Sequence, residues 1–206
     1  MNPNWAEENL QTNRTLMERS AVYRHALAPI MLLAGGLGVI ATIIGLGCHL
    51  NSARAFSLLW LVTALVTLAG ALLVTRRQAL KDQEIFWSPP TRRVTQALLP
   101  PLLAGMGLGL LPVFTGNSNE ASQASAMIWI LFYGCALHAA GFFMPRGIKL
   151  FGWIFIASGC VLFWVWIRGW ADFHFSAHWL MGVFFGGLHL AYGAYLRVTE
   201  KGKNAA

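Results

Sequence analysis

Long apolar runs alternate with short polar stretches along this chain, and charge is confined to the polar stretches. Six runs contain no Asp, Glu, Lys or Arg: 25–53, 55–75, 94–119, 121–145, 150–167 and 173–196. A helix rises 1.5 Å per residue, so about 20 residues cross the roughly 30 Å hydrocarbon layer of a membrane. The fifth run is the shortest and only just reaches that length. The pattern predicts an all-α fold, a bundle of six transmembrane helices.

The turn residues and charges between the runs indicate where each membrane-spanning helix should begin and end. We expect spans one to six at about 27–48, 55–75, 94–115, 126–144, 150–167 and 179–196, within a membrane domain of 26–197. The tail before them, 1–25, is polar and charged, and its Thr15 to Glu18 stretch has the capping-box pattern of an amphipathic helix. A short basic tail, 198–206, follows. Because the first tail does not resemble a cleavable leader, span one is expected to act as both insertion signal and anchor.

The overall composition agrees with a membrane protein. Hydrophobic residues make up 56% of the chain and charged residues 11%. A soluble domain has roughly 25% charged residues. Three cysteines, Cys48, Cys135 and Cys160, are too few and too widely spaced for a disulfide framework. The first partner that the composition predicts is therefore the lipid bilayer.

The positions of Lys and Arg predict the orientation in the membrane. If the spans alternate in direction, 13 basic residues fall on the side of the two tails, and only Arg54 and Arg168 on the other. Basic loops stay in the cytoplasm, so both termini are expected there, close to anionic lipid headgroups. The net charge of +7 is explained by this placement, which argues against direct nucleic-acid binding.

A weak internal repeat relates spans that run in the same direction. The stretches ALAPIMLLAGGLG (26–38) and ALLPPLLAGMGLG (97–109) match without a gap at several Ala, Leu, Pro and Gly positions. Three parallel helical hairpins are therefore one arrangement open to this bundle. Glycines concentrate in spans one, three and six, and small residues of this kind allow helices to approach closely in a membrane. The same glycines would permit a homodimer.

Two histidines lie deep within the expected spans. Counted from the Trp at the outer end of its span, His138 is nine residues into span four, and His189 is ten residues into span six. Both imidazoles should lie near mid-membrane, where ionisable side chains usually serve a function. Cys135 lies one helical turn before His138 and adds a soft donor.

Three interpretations of these residues stay open. His138 and His189, with Cys135, could ligate a haem iron or another metal ion. One or both could instead bind a quinone or relay a proton. Each could also hydrogen-bond to a neighbouring helix and hold the bundle together.

A second group of ligand-type side chains lies at the outer end of span six. Asp172 precedes His174 and His178, and the two histidines are four residues apart, hence on one face of a helix. Cys48 and His49 end span one on the same side. Zinc or copper could bind such a group at the external surface. An ordinary polar loop is the other interpretation.

Sequence motifs of common enzymes are absent. The chain has no phosphate-binding Gly-rich loop with a Lys, no H-E-x-x-H, no G-x-S-x-G and no pair of Asp residues within the spans. We therefore expect a protein without catalytic activity.

Several stretches carry a family resemblance. They are MERS (17–20), the RR after span two, WILFYGCALHAAG (129–141) and FGGLHLAYGAYL (185–196). Together they resemble a family of small six-span bacterial inner-membrane proteins of uncharacterised function. Such proteins are often encoded near a winged-helix transcriptional regulator. The resemblance implies a sensory or regulatory role through a cytoplasmic partner protein, and it implies no catalytic or binding residue.

Overall fold

A computed structural model describes residues 26–81, 83, 86–144, 146–169 and 176–204. Within these residues the chain is helical and has no strand, and six helices are long and apolar enough to cross a membrane. The protein is thus a multi-pass membrane protein, and the predicted six-span, all-α bundle is confirmed. The amphipathic helix expected in the first tail lies outside the described residues.

Spans one to five are single helices, and span six has three parts. The helices are α1 (Ala26–Gly47), α2 (Ala53–Lys81), α3 (Pro89–Thr115), α4 (Asn119–Ala140), α5 (Arg146–Ile167), α6 (Ala177–Met181) and α7 (His189–Asn204). A π-helical segment, Gly182–Leu188, joins α6 to α7. Span six is this continuous α–π–α helix.

Five spans, α2 to α5 and span six, extend beyond the bounds expected from hydropathy, and α4 also ends earlier than expected, at Ala140. Helix α2 continues through the basic residues to Lys81, because Arg, Gln, Ala, Leu and Lys all favour a helix. Helix α4 begins at Asn119, where the Ser118 hydroxyl accepts a hydrogen bond from the backbone N of Ala121 at 3.3 Å. This side-chain cap satisfies one of the free amides at the helix start, so the polar residues that follow are helical.

The two ends of the bundle differ in charge. Loops 48–52 and 116–118 meet the start of span six at one end, which we call the distal end. The other, basic end holds most of the described Lys and Arg side chains: Arg76, Arg77, Lys81, Arg92, Arg93, Lys149 and Arg197. Arg54 and Arg168 are the described basic residues of the distal end.

Span four is the central helix of the bundle. Half of its most apolar window is buried, against 11% for span three and 6% for span two. Spans two and three therefore present most of their surface to lipid. The buried core gathers around span four and the facing parts of spans one, five and six, with Phe56 and Trp60 from span two.

Spans four and five approach each other through glycines. A Cβ atom added at Gly152 would lie 2.6 Å from the backbone N of His138, and one at Gly134 would lie 2.7 Å from the backbone N of Ile156. Gly141 and Gly159 make the same kind of close approach one heptad away on each helix. The two backbones are in direct contact in an antiparallel register, which only residues without a side chain permit.

Spans one and six form the second close pair. A Cβ atom at Gly38 would lie 2.6 Å from the carbonyl O of Phe185, and one at Gly182 would lie 2.6 Å from the hydroxyl O of Thr42. The first and last spans are thus neighbours, and the close approach predicted for their glycines is confirmed. Both close pairs join spans that belong to different hairpins of the sequence repeat.

Replacing Gly152 by Ala is expected to destabilise the bundle by about 1–3 kcal/mol, because the new methyl group collides with the span-four backbone. Gly107→Ala is the matched control, since a Cβ there meets nothing within 4 Å and Ala favours a helix by about 1 kcal/mol. Thermal unfolding in detergent should separate the two variants in opposite directions. Equal melting temperatures would contradict the glycine-mediated contact.

Candidate functional site

His189 is buried at the junction of the π-helical segment and α7, with 1% of its surface exposed. Its Nδ1 lies 3.1 Å from the carbonyl O of Phe184, and its Nε2 lies 2.7 Å from the hydroxyl of Tyr133 on span four. A carbonyl can only accept, so Nδ1 carries a proton, and in the neutral imidazole Nε2 accepts from the Tyr133 hydroxyl. Both ring nitrogens of His189 are therefore bonded.

Aromatic rings enclose this pair. The ring centroids of Phe151, Tyr133, Phe155 and Phe185 lie 5.2, 5.4, 5.6 and 5.9 Å from that of His189. These contacts come from spans four, five and six at once. An apolar enclosure of this kind penalises a charged imidazole, because no water reaches it to solvate the charge.

The π-helical segment shapes the site. π-helical turns are rare and occur frequently at functional sites. Here the Phe184 carbonyl accepts from the side chain of His189, five residues later in the chain. Gly186 is buried against span one, where a Cβ atom would lie 3.0 Å from Val39. The widened turn is therefore held on one side by span one and on the other by the imidazole.

His138 lies apart from His189. Its ring contacts Phe142 and Trp153 with centroids 5.5 and 5.1 Å away, and its Nδ1 is buried without a hydrogen-bond partner. No hydrogen bond or ring contact joins the two histidines in the described part of the chain. Both lie beside 151–155 of span five, but His138 is in the last turn of α4, whereas His189 lies near the middle of span six. They contact different sides of that helix: Phe151 and Phe155 face His189, whereas Trp153 faces His138.

The structure therefore pairs His189 with Tyr133 and not with His138. Ligation of one haem iron by both imidazoles would require the Nε2 of His189 to give up its hydrogen bond from Tyr133, and it would have to bring the two separate rings to one iron. Cys135 is half-buried one turn before His138 and, like the other two cysteines, is a free thiol. Among the described residues, no three His, Cys, Asp or Glu side chains form a group that could hold a metal ion.

His178 is the second buried imidazole of span six, fully inaccessible near the distal end. Its Nε2 lies 3.0 Å from the carbonyl O of Leu50, and its Nδ1 lies 3.1 Å from the indole N of Trp60. The indole N–H can only donate and the carbonyl can only accept, so His178 is neutral and protonated on Nε2. Its one acceptor nitrogen is occupied. Asp172 and His174, grouped with it from sequence, lie outside the described residues.

A polar network at the distal end surrounds His178. The Ser122 hydroxyl donates to the carbonyl O of Asn51 at 2.9 Å, and the Ser176 hydroxyl donates to the Asn51 side-chain O at 2.7 Å. Loop 48–52 is thereby tied to spans four and six. Sequence analysis missed Tyr133, Asn51, Ser122 and Ser176, because each bond joins residues more than 50 positions apart.

Comparison with known proteins adds no further information: no family model, curated protein or solved structure matches this chain. The chemistry must be inferred from the residues themselves. Two buried histidines, each a neutral donor and acceptor, connect span six to loop 48–52 and to spans two and four. In this arrangement they act as interhelical hydrogen-bonding groups.

Tyr133→Phe is expected to lower the free energy of unfolding by about 1–3 kcal/mol, because it leaves the buried Nε2 of His189 without a donor. Tyr195→Phe removes the same hydroxyl from a side chain that is 62% exposed, and should change stability by less than about 0.5 kcal/mol. Thermal or denaturant unfolding in detergent measures both. If the two variants are equally stable, the Tyr133–His189 bond does not contribute as described.

Proposed function

We propose that this chain is a non-enzymatic protein of the bacterial inner membrane with a sensory or regulatory role, acting through a cytoplasmic partner protein. The observation that carries the proposal is the separation of charge in the bundle. His178 and His189 are neutral and bonded within the core, whereas the basic side chains gather at one end. The surface suited to recognition is therefore the basic end.

The same asymmetry supports a cytoplasmic location for that end and for both termini. Short loops rich in Lys and Arg stay on the cytoplasmic side during insertion. The resemblance to small six-span bacterial proteins encoded near a winged-helix regulator agrees with this orientation. It also suggests the class of partner, a transcriptional regulator.

Span two offers a structural basis for a partner contact. Its 29 residues extend over about 44 Å, well beyond the roughly 30 Å hydrocarbon layer. The distal end of α2 lies beside loop 116–118, so the extra turns project at the basic end. They carry Arg76, Arg77 and Lys81, and Leu80 there is 68% exposed. A rigid basic helix of this kind complements an acidic protein surface.

The alternative is a haem-, quinone- or metal-binding redox component that uses His138 and His189. One observation favours it: the Nδ1 of His138 is buried and has no partner. A ligand that reached this nitrogen would satisfy it. His189 could bind such a ligand only if its Nε2 gave up the hydrogen bond from Tyr133.

An absorption spectrum with metal analysis distinguishes the two functions. We expect wild-type protein in mild detergent, and the His138→Ala and His189→Ala variants, to be colourless and free of stoichiometric metal. A Soret band or bound metal that disappears in both variants would overturn the regulatory proposal in favour of the redox one.

The orientation is tested with the native thiol of Cys48, which is exposed at the distal end. A membrane-impermeant maleimide should label it in intact cells. In a Cys48→Ala background, a Leu80→Cys thiol should be labelled only after the membrane is permeabilised. The reverse pattern would place the basic end outside the cell.

A photo-crosslinking amino acid tests the partner site. Placed at Leu80 of the basic end, it should capture one defined protein with a DNA-binding domain, and replacing Arg76 and Arg77 by Ala should abolish that adduct. Leu58 is the matched control, because it is 66% exposed on the same helix but at the distal end. Equal adducts at both positions would contradict a partner site at the basic end.

A further inference from the structure

An apolar cleft opens toward lipid at the distal end of span two. It has a volume of about 300 Å³, at the lower limit of the roughly 300–1,000 Å³ typical of ligand pockets. The residues that line it are all apolar: Leu50, Ala55, Leu58, Leu59 and Val62.

The shape of the cleft follows from the helix. The four lining residues of span two are spaced i, i+3, i+4 and i+7, so they form one stripe along a single helix face. From Ala55 to Val62 the stripe is about 10 Å long, and one leaflet of the hydrocarbon layer is about 15 Å thick. Leu50, whose carbonyl accepts a hydrogen bond from His178, lines the cleft from loop 48–52. The cleft therefore lies in one leaflet and runs parallel to its acyl chains.

Arg54 lies one helical turn before Leu58, at the start of the helix that lines the cleft. Its backbone N is bonded to the Asn117 side chain at 3.2 Å, which fixes the start of the helix. Its side chain is exposed, and its guanidinium has no hydrogen bond, ion pair or ring contact within the described residues. The other distal arginine differs, because the guanidinium of Arg168 lies 5.6 Å above the ring of Trp164.

We propose that the cleft and Arg54 together bind one anionic phospholipid of the distal leaflet. One acyl chain lies along the stripe from Ala55 to Val62, and the phosphate accepts hydrogen bonds from the Arg54 guanidinium. Arginine presents several N–H donors in a geometry that suits phosphate oxygens.

The chemistry of the cleft favours a lipid over the other occupants of a membrane groove. A peptide segment would bring backbone N–H and C=O groups that need partners, and the apolar lining offers none. An uncharged lipid would fill the cleft but has no phosphate for Arg54, and a zwitterionic lipid also brings a cationic group that repels the guanidinium. The site is independent of the partner proposed for the basic end, because it lies at the other end of the bundle.

Native mass spectrometry tests the site. Protein in detergent is titrated with phosphatidylglycerol or phosphatidylcholine, and the bound lipids are counted. Wild type should retain one phosphatidylglycerol more tightly than phosphatidylcholine, and Arg54→Ala should weaken that binding about fivefold, which corresponds to one membrane-surface charge. Arg168→Ala is the control and should bind as wild type does. If Arg168→Ala loses as much binding as Arg54→Ala, or neither variant changes, the lipids are unspecific and the proposal is wrong.

A second variant tests the apolar part of the site. Val62 is 49% exposed to lipid, so Val62→Trp should fold and partly fill the cleft. It should weaken retention of phosphatidylglycerol at least as much as Arg54→Ala, with an unchanged melting temperature in lipid-free detergent. Full retention by a folded Val62→Trp protein would exclude the cleft as the acyl-chain site.

Discussion

The close contact of helix backbones at glycines is the constraint on which the rest of this bundle depends. Apolar side chains gain little by leaving lipid for one another, so spans associate where van der Waals contact is tightest. Glycines bring span four against span five and span one against span six. These two contacts also place the histidines: Gly152 faces the backbone of His138, Gly45 faces the ring of His178, and Gly35 and Gly38 hold the segment that leads into His189. The glycines thus determine which polar groups meet.

When the helices pack this closely, the buried imidazoles lose contact with water, and hydrogen bonds within the protein replace it. Neither His178 nor His189 has access to water, and each is bonded at both ring nitrogens in one tautomer. The partners are of two kinds, a side chain on another span and a backbone carbonyl. The carbonyl of Leu50 belongs to a loop and that of Phe184 to a π-helical segment, so both lie outside regular α-helical geometry. Each buried histidine is thus bonded to irregular backbone.

Sequence patterns predicted most of the fold and little of the site. Charge-free runs located six spans because hydrocarbon excludes charge whatever the neighbours are. The same rule did not predict that the basic end of α2 and the polar start of α4 are helical. The first is helical because its residues favour a helix, and the second because Ser118 caps it. The position of His189 near the middle of span six was predictable from its distance to Trp179 along one helix. Its bond to Tyr133 was not, because that contact depends on the register between two spans, and hydropathy carries no record of register.

The π-helical segment changes which neighbouring spans the side chains of span six can contact. Residues 11 apart in a regular α-helix, such as His178 and His189, differ by only about 20° around the axis and would point the same way. The wider turn between them changes that angular phase. His178 reaches Trp60 on span two, and His189 reaches Tyr133 on span four. The two histidines of one continuous helix therefore point in different directions. Because of this shift in angle, each histidine bonds to a different span.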